Sequence, residues 1–318
     1  MATYPAYDSI RRIGVLGTGT IGASWTTYFL AQGFEVSAWD PGTSWRDRLV
    51  AFIDNAWPHM EALGLAHGAD KTAITFHENP GDAVANVGFI QESAPEKLDV
   101  KRDLYRRIDN ALPELAILSS STSGLIMSDM QDGFASAGRF VVGHPFNPPH
   151  LIPLVEVVAG KDTDPEAVDW SIGFYNHIGK HAIRINKEVP GHLANRLQAA
   201  LWREAVLAVK NDLASVEDIN AAVAQGPGLR WALMGPHMIM NLAGGKGGFR
   251  QMIDHFTPGM TAWWETMTEN PKITPELANA LIDGITEEAG ERSIDNLEEE
   301  RDERLIKLLS MLKETKRG

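Results

Sequence analysis

His144 and Glu156 lie at the ends of two apolar runs in the segment HPFNPPHLIPLVE, twelve residues apart. Residues 139–143 (RFVVG) and 154–158 (LVEVV) are predicted as short strands, and Pro145, Pro148, Pro149 and Pro153 exclude helix between them. Antiparallel pairing about a turn centred near His150 sets positions 144 and 156 opposite each other, within side-chain reach. A carboxylate there fixes one imidazole tautomer and stabilises the protonated ring. That suits a general base acting on an alcohol at neutral pH. The same spacing also fits a loop histidine paired with a surface glutamate, so the surrounding elements must decide between the two.

The first such element is a nucleotide fingerprint. Residues 12–16 (RIGVL) read as a buried strand, followed at once by Gly17, Thr18, Gly19, Thr20, Ile21 and Gly22 and then a helical run through Gln32. Gly17 permits the tight turn, Gly19 lets backbone approach a pyrophosphate, and Gly22 allows helix to pack closely on strand. The phosphates then sit on the helix N-terminus. A second strand, 35–39 (EVSAW), ends at Asp40, eighteen residues after Gly22. A carboxylate there accepts bonds from both hydroxyls of an adenosine ribose and repels a 2′-phosphate, so NAD is favoured over NADP.

Further strand-length apolar runs occur at 87–92 (VGFIQE), 116–119 (AILS), 140–143 and 154–158, with helices predicted around 96–111 and 124–137. This alternation is the rhythm of a doubly wound sheet. Residues 43–70 read as an inserted helical arm, interrupted at Pro58. KEVPGH at 187–192 marks a break, after which Leu197, Leu201, Ala205 and Ala208 recur at helical spacing within 193–209. Segments 215–225, 231–243, 247–265, 274–288 and 291–314 continue as helices between glycine-rich joints such as QGPGLR and AGGKGG. In the last, Ile294, Leu297, Leu305, Leu308 and Leu312 form a stripe that suits either core packing or a dimer seam. The expected fold is therefore α/β: a Rossmann-type doubly wound NAD-binding domain at 1–188, then an all-helical domain at 189–318 for substrate binding and dimerisation.

Composition narrows the function. A chain of 318 residues suits about two domains, and 44% hydrophobic with 22% charged residues is ordinary globular material. No apolar run approaches the roughly 18 residues of a membrane span, and the polar start MATYPAYDSIRR lacks the apolar core of a signal peptide, so a soluble cytoplasmic protein is expected. The absence of cysteine excludes disulfides, thiolate metal sites and a cysteine nucleophile. No HExxH-like spacing appears either, and no metal is expected. A net charge of −13 argues against nucleic acid or an anionic membrane as partner and is mildly unfavourable for polyanionic ligands. The expected partners are a small-molecule substrate and a second copy of the chain.

GTGTIG (17–22), ESAPEKLDVK (92–101), SSSTSG (119–124), GHPFNPP (143–149), VEVV (155–158), KEVPGHLANRL (187–197) and GPGLRWALMGP (226–236) together resemble the 3-hydroxyacyl-CoA dehydrogenase family, in the family's order and across nearly the whole chain. The resemblance implies catalytic roles for Ser123, His144, Glu156 and Asn195. His144 would take the hydroxyl proton while hydride leaves the same carbon for the nicotinamide. Glu156 would orient His144, and Ser123 and Asn195 would hydrogen-bond the reacting oxygen. It also implies that Glu92, Glu96 and Lys97 line the cofactor's ribose and nicotinamide.

Within that family, NAWPHMEALGLAHGAD, FIQESAPEKLD, KEVPGHLANRLQAALWREAV, GLRWALMG and NLAGGKGGFRQM are similar to the carnitine dehydrogenases. Carnitine is a 3-hydroxy acid with a quaternary ammonium group. Arg230 could pair with its carboxylate, and Trp231 and Trp264 could face its cation. A CoA substrate would need cations in the helical arm, which offers only Arg46, Arg48 and Lys71. Short-chain 3-hydroxyacyl-CoA and L-gulonate remain as alternative substrates, and a crystallin-like structural role as the non-enzymatic one.

Overall fold

Period-two alternation in the apolar runs splits each strand between two cores, and eight strands combine into one sheet. The computed structural model describes residues 4–315. The strands are β1 (Arg12–Leu16), β2 (Glu35–Trp39), β3 (Ile74–Phe76), β4 (Phe89–Glu92), β5 (Ile117–Ser120), β6 (Phe140–Pro145), β7 (Leu154–Ala159) and β8 (His181–Ile185). Their order is β3-β2-β1-β4-β5-β6-β7-β8, and every neighbouring pair is parallel except β6 and β7. Ile13, Val15, Phe89, Ile117 and Val141 face one core, and Leu16, Ile90, Leu118, Phe140 and Val142 face the other.

Six helices accompany the sheet: α1 (Thr20–Ala31), α2 (Trp45–Leu63), α3 (Pro80–Val84), α4 (Leu98–Ile108), α5 (Met127–Gln131) and α6 (Pro165–His177). Side chains of α1, α2 and α6 join the first core, whereas those of α3, α4 and α5 join the second. Helices on both faces define the doubly wound class, and its topological switch point falls between β1 and β4. β6 and β7 pair antiparallel with His144 opposite Glu156, as the spacing predicts.

Three local expectations need correction. The arm helix α2 runs through Pro58 without interruption. Trp45, Leu49, Ile53, Ala56, Trp57 and Met60 make a continuous buried stripe, and that packing outweighs one missing backbone donor. Instead of 124–137, α5 covers only Met127–Gln131; the chain leaves helix at Asp132, with ψ 122°, and turns at Gly133, with φ 82°. The helix expected over 231–243 covers only Pro236–Ala243, with Gly235 extended before Pro236, and a separate short helix, Pro227–Trp231, forms within the QGPGLR joint. The short β3 carries too little pattern to be read from sequence.

By packing, the chain divides into two units: residues up to Asn195 with Arg301–Met311, and Arg196–Glu300 with the segment from Leu312 onward. The second unit is helical, built from α7 (Ala194–Lys210), α8 (Val216–Ala224), α9 (Pro227–Trp231), α10 (Pro236–Ala243), α11 (Gly248–Thr266), α12 (Pro275–Ala289) and part of α13 (Ile294–Thr315). No helix among the described residues is long and apolar enough to cross a membrane.

Candidate active site

The glycine turn shows two steric demands and one open side. Gly17 sits at φ 87°, and a Cβ there would meet the Ser93 carbonyl at 2.7 Å. A Cβ on Gly22 would lie 1.8 Å from the Gly17 carbonyl oxygen, so only glycine lets α1 start this close to the turn. Around Gly19 there is nothing within 4 Å. That open side faces a cavity of about 600 Å³ lined by Gly17, Gly19, Trp39, Asp40, Pro95 and Arg107, among others. It lies beyond the C-terminal ends of β1 and β2, where doubly wound sheets hold nucleotides.

Asp40 stands at the end of β2. Its Oδ2 accepts the Thr18 amide and its Oδ1 the Gly42 amide, each at 2.8 Å. Each oxygen keeps lone-pair capacity for a ribose hydroxyl. The Thr18 hydroxyl is buried with no protein partner, an orphan that a bound nucleotide would satisfy. Thr20 and Ile21 open α1, whose free N–H groups suit a pyrophosphate. Trp39 and Arg107, stacked at 4.9 Å, form a cavity wall that no sequence motif announced. These residues fit NAD.

Glu92 is not among the residues lining this cavity. It is fully buried; Oε1 accepts the Ala94 amide and the Lys101 ammonium at 2.6 Å, and Oε2 accepts the Tyr105 and Ser120 hydroxyls at 2.7 Å. Four donors saturate the carboxylate, which braces the β4–α4 connection from inside. Lys97 stands exposed at the head of α4.

Glu96 is directed at the loop that carries Ser123. Its Oε1 accepts the Thr122 hydroxyl at 2.7 Å and the Ser123 and Gly124 amides at 2.9 and 2.8 Å. Burial pushes the Glu96 carboxyl up, but these donors and the Lys101 charge outweigh it and hold it below its ordinary value. Asn195 Nδ2 meets the Ser123 carbonyl at 3.5 Å. The structure therefore places Ser123 and Asn195 side by side.

His144 Nδ1 lies 2.8 Å from Glu156 Oε2, with both side chains buried. Glu156 Oε1 accepts the Leu193 and Ala194 amides at 2.9 Å each. Burial pushes this carboxyl up, yet the bond from His144 and the two amides dominate and lower it. An ionised carboxylate only accepts, so Nδ1 donates to it, and in the neutral ring that leaves the lone pair on Nε2. One carboxylate thus fixes both the tautomer of His144 and the chain segment presenting Asn195.

Sequence reasoning missed His192. Its ring centre lies 5.2 Å from that of His144, its Nε2 sits 3.1 Å from the Thr122 carbonyl, and its buried Nδ1 has no partner. The available signal was a titratable residue three positions before Asn195, in a segment read as a break and as a family motif without a role for its histidine. Burial holds this imidazole below its ordinary value. Arg230 and Trp231 lie on α9 and Trp264 on α11 of the second unit, all exposed.

A nucleotide cavity at the switch point of a doubly wound sheet, with a buried His–Glu pair in the same unit, defines an NAD-dependent dehydrogenase acting on a CH–OH group. Residues 12–189 match the NAD-binding domain of 3-hydroxyacyl-CoA dehydrogenase, and residues 191–304 match its C-terminal domain. The chain belongs to the 3-hydroxyacyl-CoA dehydrogenase family. It is 51% identical over 287 residues to an L-carnitine dehydrogenase of Streptomyces griseus, covering 90% of this chain and 85% of that protein. An L-carnitine dehydrogenase of Bacillus cereus is 44% identical over 307 residues, covering 96% of this chain and 94% of that one. Among solved structures, the NAD+-dependent dismutase 5-formyl-3-hydroxy-2-methylpyridine 4-carboxylic acid 5-dehydrogenase matches with TM-score 0.82 at 28% identity, covering 96% of this chain and 99% of that one.

Proposed function

We propose that this protein oxidises the 3-hydroxyl of L-carnitine to the ketone, 3-dehydrocarnitine. The observation that carries this reading is the identity of up to 51% with L-carnitine dehydrogenases over most of both chains. NAD, when bound, supplies the hydride acceptor. His144 Nε2 takes the hydroxyl proton as the C–H bond gives up its hydride, and Glu156 stabilises the resulting imidazolium. Ser123 and Asn195 donate to the oxygen as it becomes a carbonyl. On the helical unit, Arg230 offers a guanidinium suited to a carboxylate, and Trp231 and Trp264 offer indole faces suited to a trimethylammonium group.

The helical arm adds support against a CoA ester. Its cations are engaged: Arg46 with Glu78, Lys71 with Asp54 at 2.6 Å, and Arg48 with the Thr43 carbonyl at 2.6 Å. Recruiting them for phosphates would break these partnerships. NADH formation followed separately with L-carnitine, 3-hydroxybutyryl-CoA and L-gulonate tests the reading. Turnover of the CoA ester without turnover of L-carnitine would overturn it.

We infer further that the enzyme is a cytoplasmic homodimer. Leu197, Trp202, Leu233, Leu242, Phe256 and Trp263 on the helical unit are each more than half exposed, an apolar load that a second copy would cover. Light scattering of the purified chain should return twice the chain mass of 34.9 kDa; a monomer at working concentrations would reject the dimer.

A further inference from the structure

His59 on α2, His150 in the β6–β7 connection and Asp302 on α13 converge within the first unit, at a place no sequence spacing links. One ligand atom from each lies within 4.8 Å of the others; His150 and Asp302 are buried and His59 is half-buried. His59 Nδ1 and His150 Nε2 are 3.4 Å apart. That is long for a good hydrogen bond, whose length is roughly 2.7–3.2 Å. It equals the separation of two nitrogens held at roughly 2.0–2.1 Å by one tetrahedral ion, about 3.4 Å.

The surroundings favour the same arrangement. His150 Nδ1 lies 2.8 Å from the Ser24 hydroxyl, which also accepts the His150 amide at 2.8 Å. An Nδ1–H donated to Ser24 leaves the Nε2 lone pair directed at His59, the outer bond that orients most metal-ligating histidines. Asp302 is held at 2.8 Å by Arg301, its sequence neighbour, and would exchange that cation for the ion. Lys180, the other nearby cation, is turned away onto the Pro149 and Ile152 carbonyls.

We propose that His59, His150 and Asp302 form a site for a borderline divalent cation such as Zn²⁺ or Co²⁺, with water completing four-coordination. Two imidazoles and one carboxylate are the donor set such ions prefer over Mg²⁺ or Ca²⁺. The ion would clamp the arm helix and α13 to the segment between His144 and Glu156. This differs from the metal-free expectation drawn from sequence, where residues 59, 150 and 302 share no motif. It is independent of the substrate assignment.

The test is Co²⁺ titration of the chelator-treated full chain, followed by the intense visible absorption of four-coordinate cobalt. Saturation at one equivalent per chain is expected, with displacement by Zn²⁺. His59→Gln and Asp302→Asn should each weaken binding at least tenfold while NAD still binds, which shows that the variants fold. His67→Gln, at an exposed histidine, should change nothing. Absence of saturable binding, or binding by His59→Gln and Asp302→Asn equal to that of the parent chain, would overturn the proposal.

Discussion

Glu156 holds His144 at 2.8 Å through one carboxylate oxygen and, through the other, the Leu193 and Ala194 amides where α7 begins. His144, proposed as the proton acceptor, and Asn195, proposed to polarise the reacting oxygen, are thereby tied to a single anion.

Replacing His144 with glutamine keeps most of the volume but removes the basic lone pair. Loss of a general base lowers rate by about 10²–10⁴-fold. The NAD cavity does not include His144, so NAD affinity measured by fluorescence titration should stay within about twofold, the small change expected of a distant site. Residual kcat above a tenth of the parent value would remove His144 from the role of base.

The Glu156 carboxyl is lowered from its ordinary 4.5. In acid the unfolded chain therefore takes up this proton before the folded one, and stability is lost as pH falls through the depressed value. Above 4.5 the contribution is fully present. Glu156→Gln should cost about 2 kcal/mol near neutrality, the range for a hydrogen bond to a charged group. Thermal midpoints of the two proteins should converge on acidification below 4.5; a gap independent of pH would contradict the ionised pair.

Gly19 and Gly22 should respond differently to the same added methyl. Gly22→Ala forces a contact with the Gly17 carbonyl and should lower stability by about 1–3 kcal/mol, as overpacking does. Gly19→Ala meets nothing in the protein, so its thermal midpoint should be unchanged while NAD affinity drops about tenfold or more, 1.4 kcal/mol per decade. Equal NAD affinity in Gly19→Ala and the parent would mean the phosphates bind elsewhere.

Asp40→Ser removes the charge that disfavours a 2′-phosphate. The ratio of kcat/KM for NAD over NADP should fall by about tenfold or more, mainly through weaker NAD binding. A ratio unchanged in steady-state assays would dissociate Asp40 from the ribose.

Trp231→Ala should raise the KM for L-carnitine about 2–30-fold, the equivalent of one cation–π face at about 0.5–2 kcal/mol. An isosteric analogue with a neutral tert-butyl group should be affected less. Equal effects on both compounds would reject a cationic role for this ring.

The sequence determined the nucleotide half of the protein almost entirely. The glycine turn, the strands on either side of it and Asp40 are local, so spacing alone fixes which backbone a phosphate can approach. It also offered His144 opposite Glu156 through prolines between two apolar runs, an arrangement that the sheet register realises. Helix positions in the second unit were legible from apolar periodicity, although the helix expected from 231 starts only at Pro236 and α9 forms in a stretch read as a joint. Pro236 stands at the first position of α10, where the missing donor costs nothing, whereas Pro58 and Pro258 lie inside helices that continue through them. Only tertiary structure decided that Glu92 is saturated inside the unit, that Glu96 anchors the Ser123 loop, and that His192 stands beside His144. It also gathered His59, His150 and Asp302. Those arrangements join residues tens to hundreds of positions apart, and side-chain direction at such separations is set by packing across the sheet rather than by any local pattern.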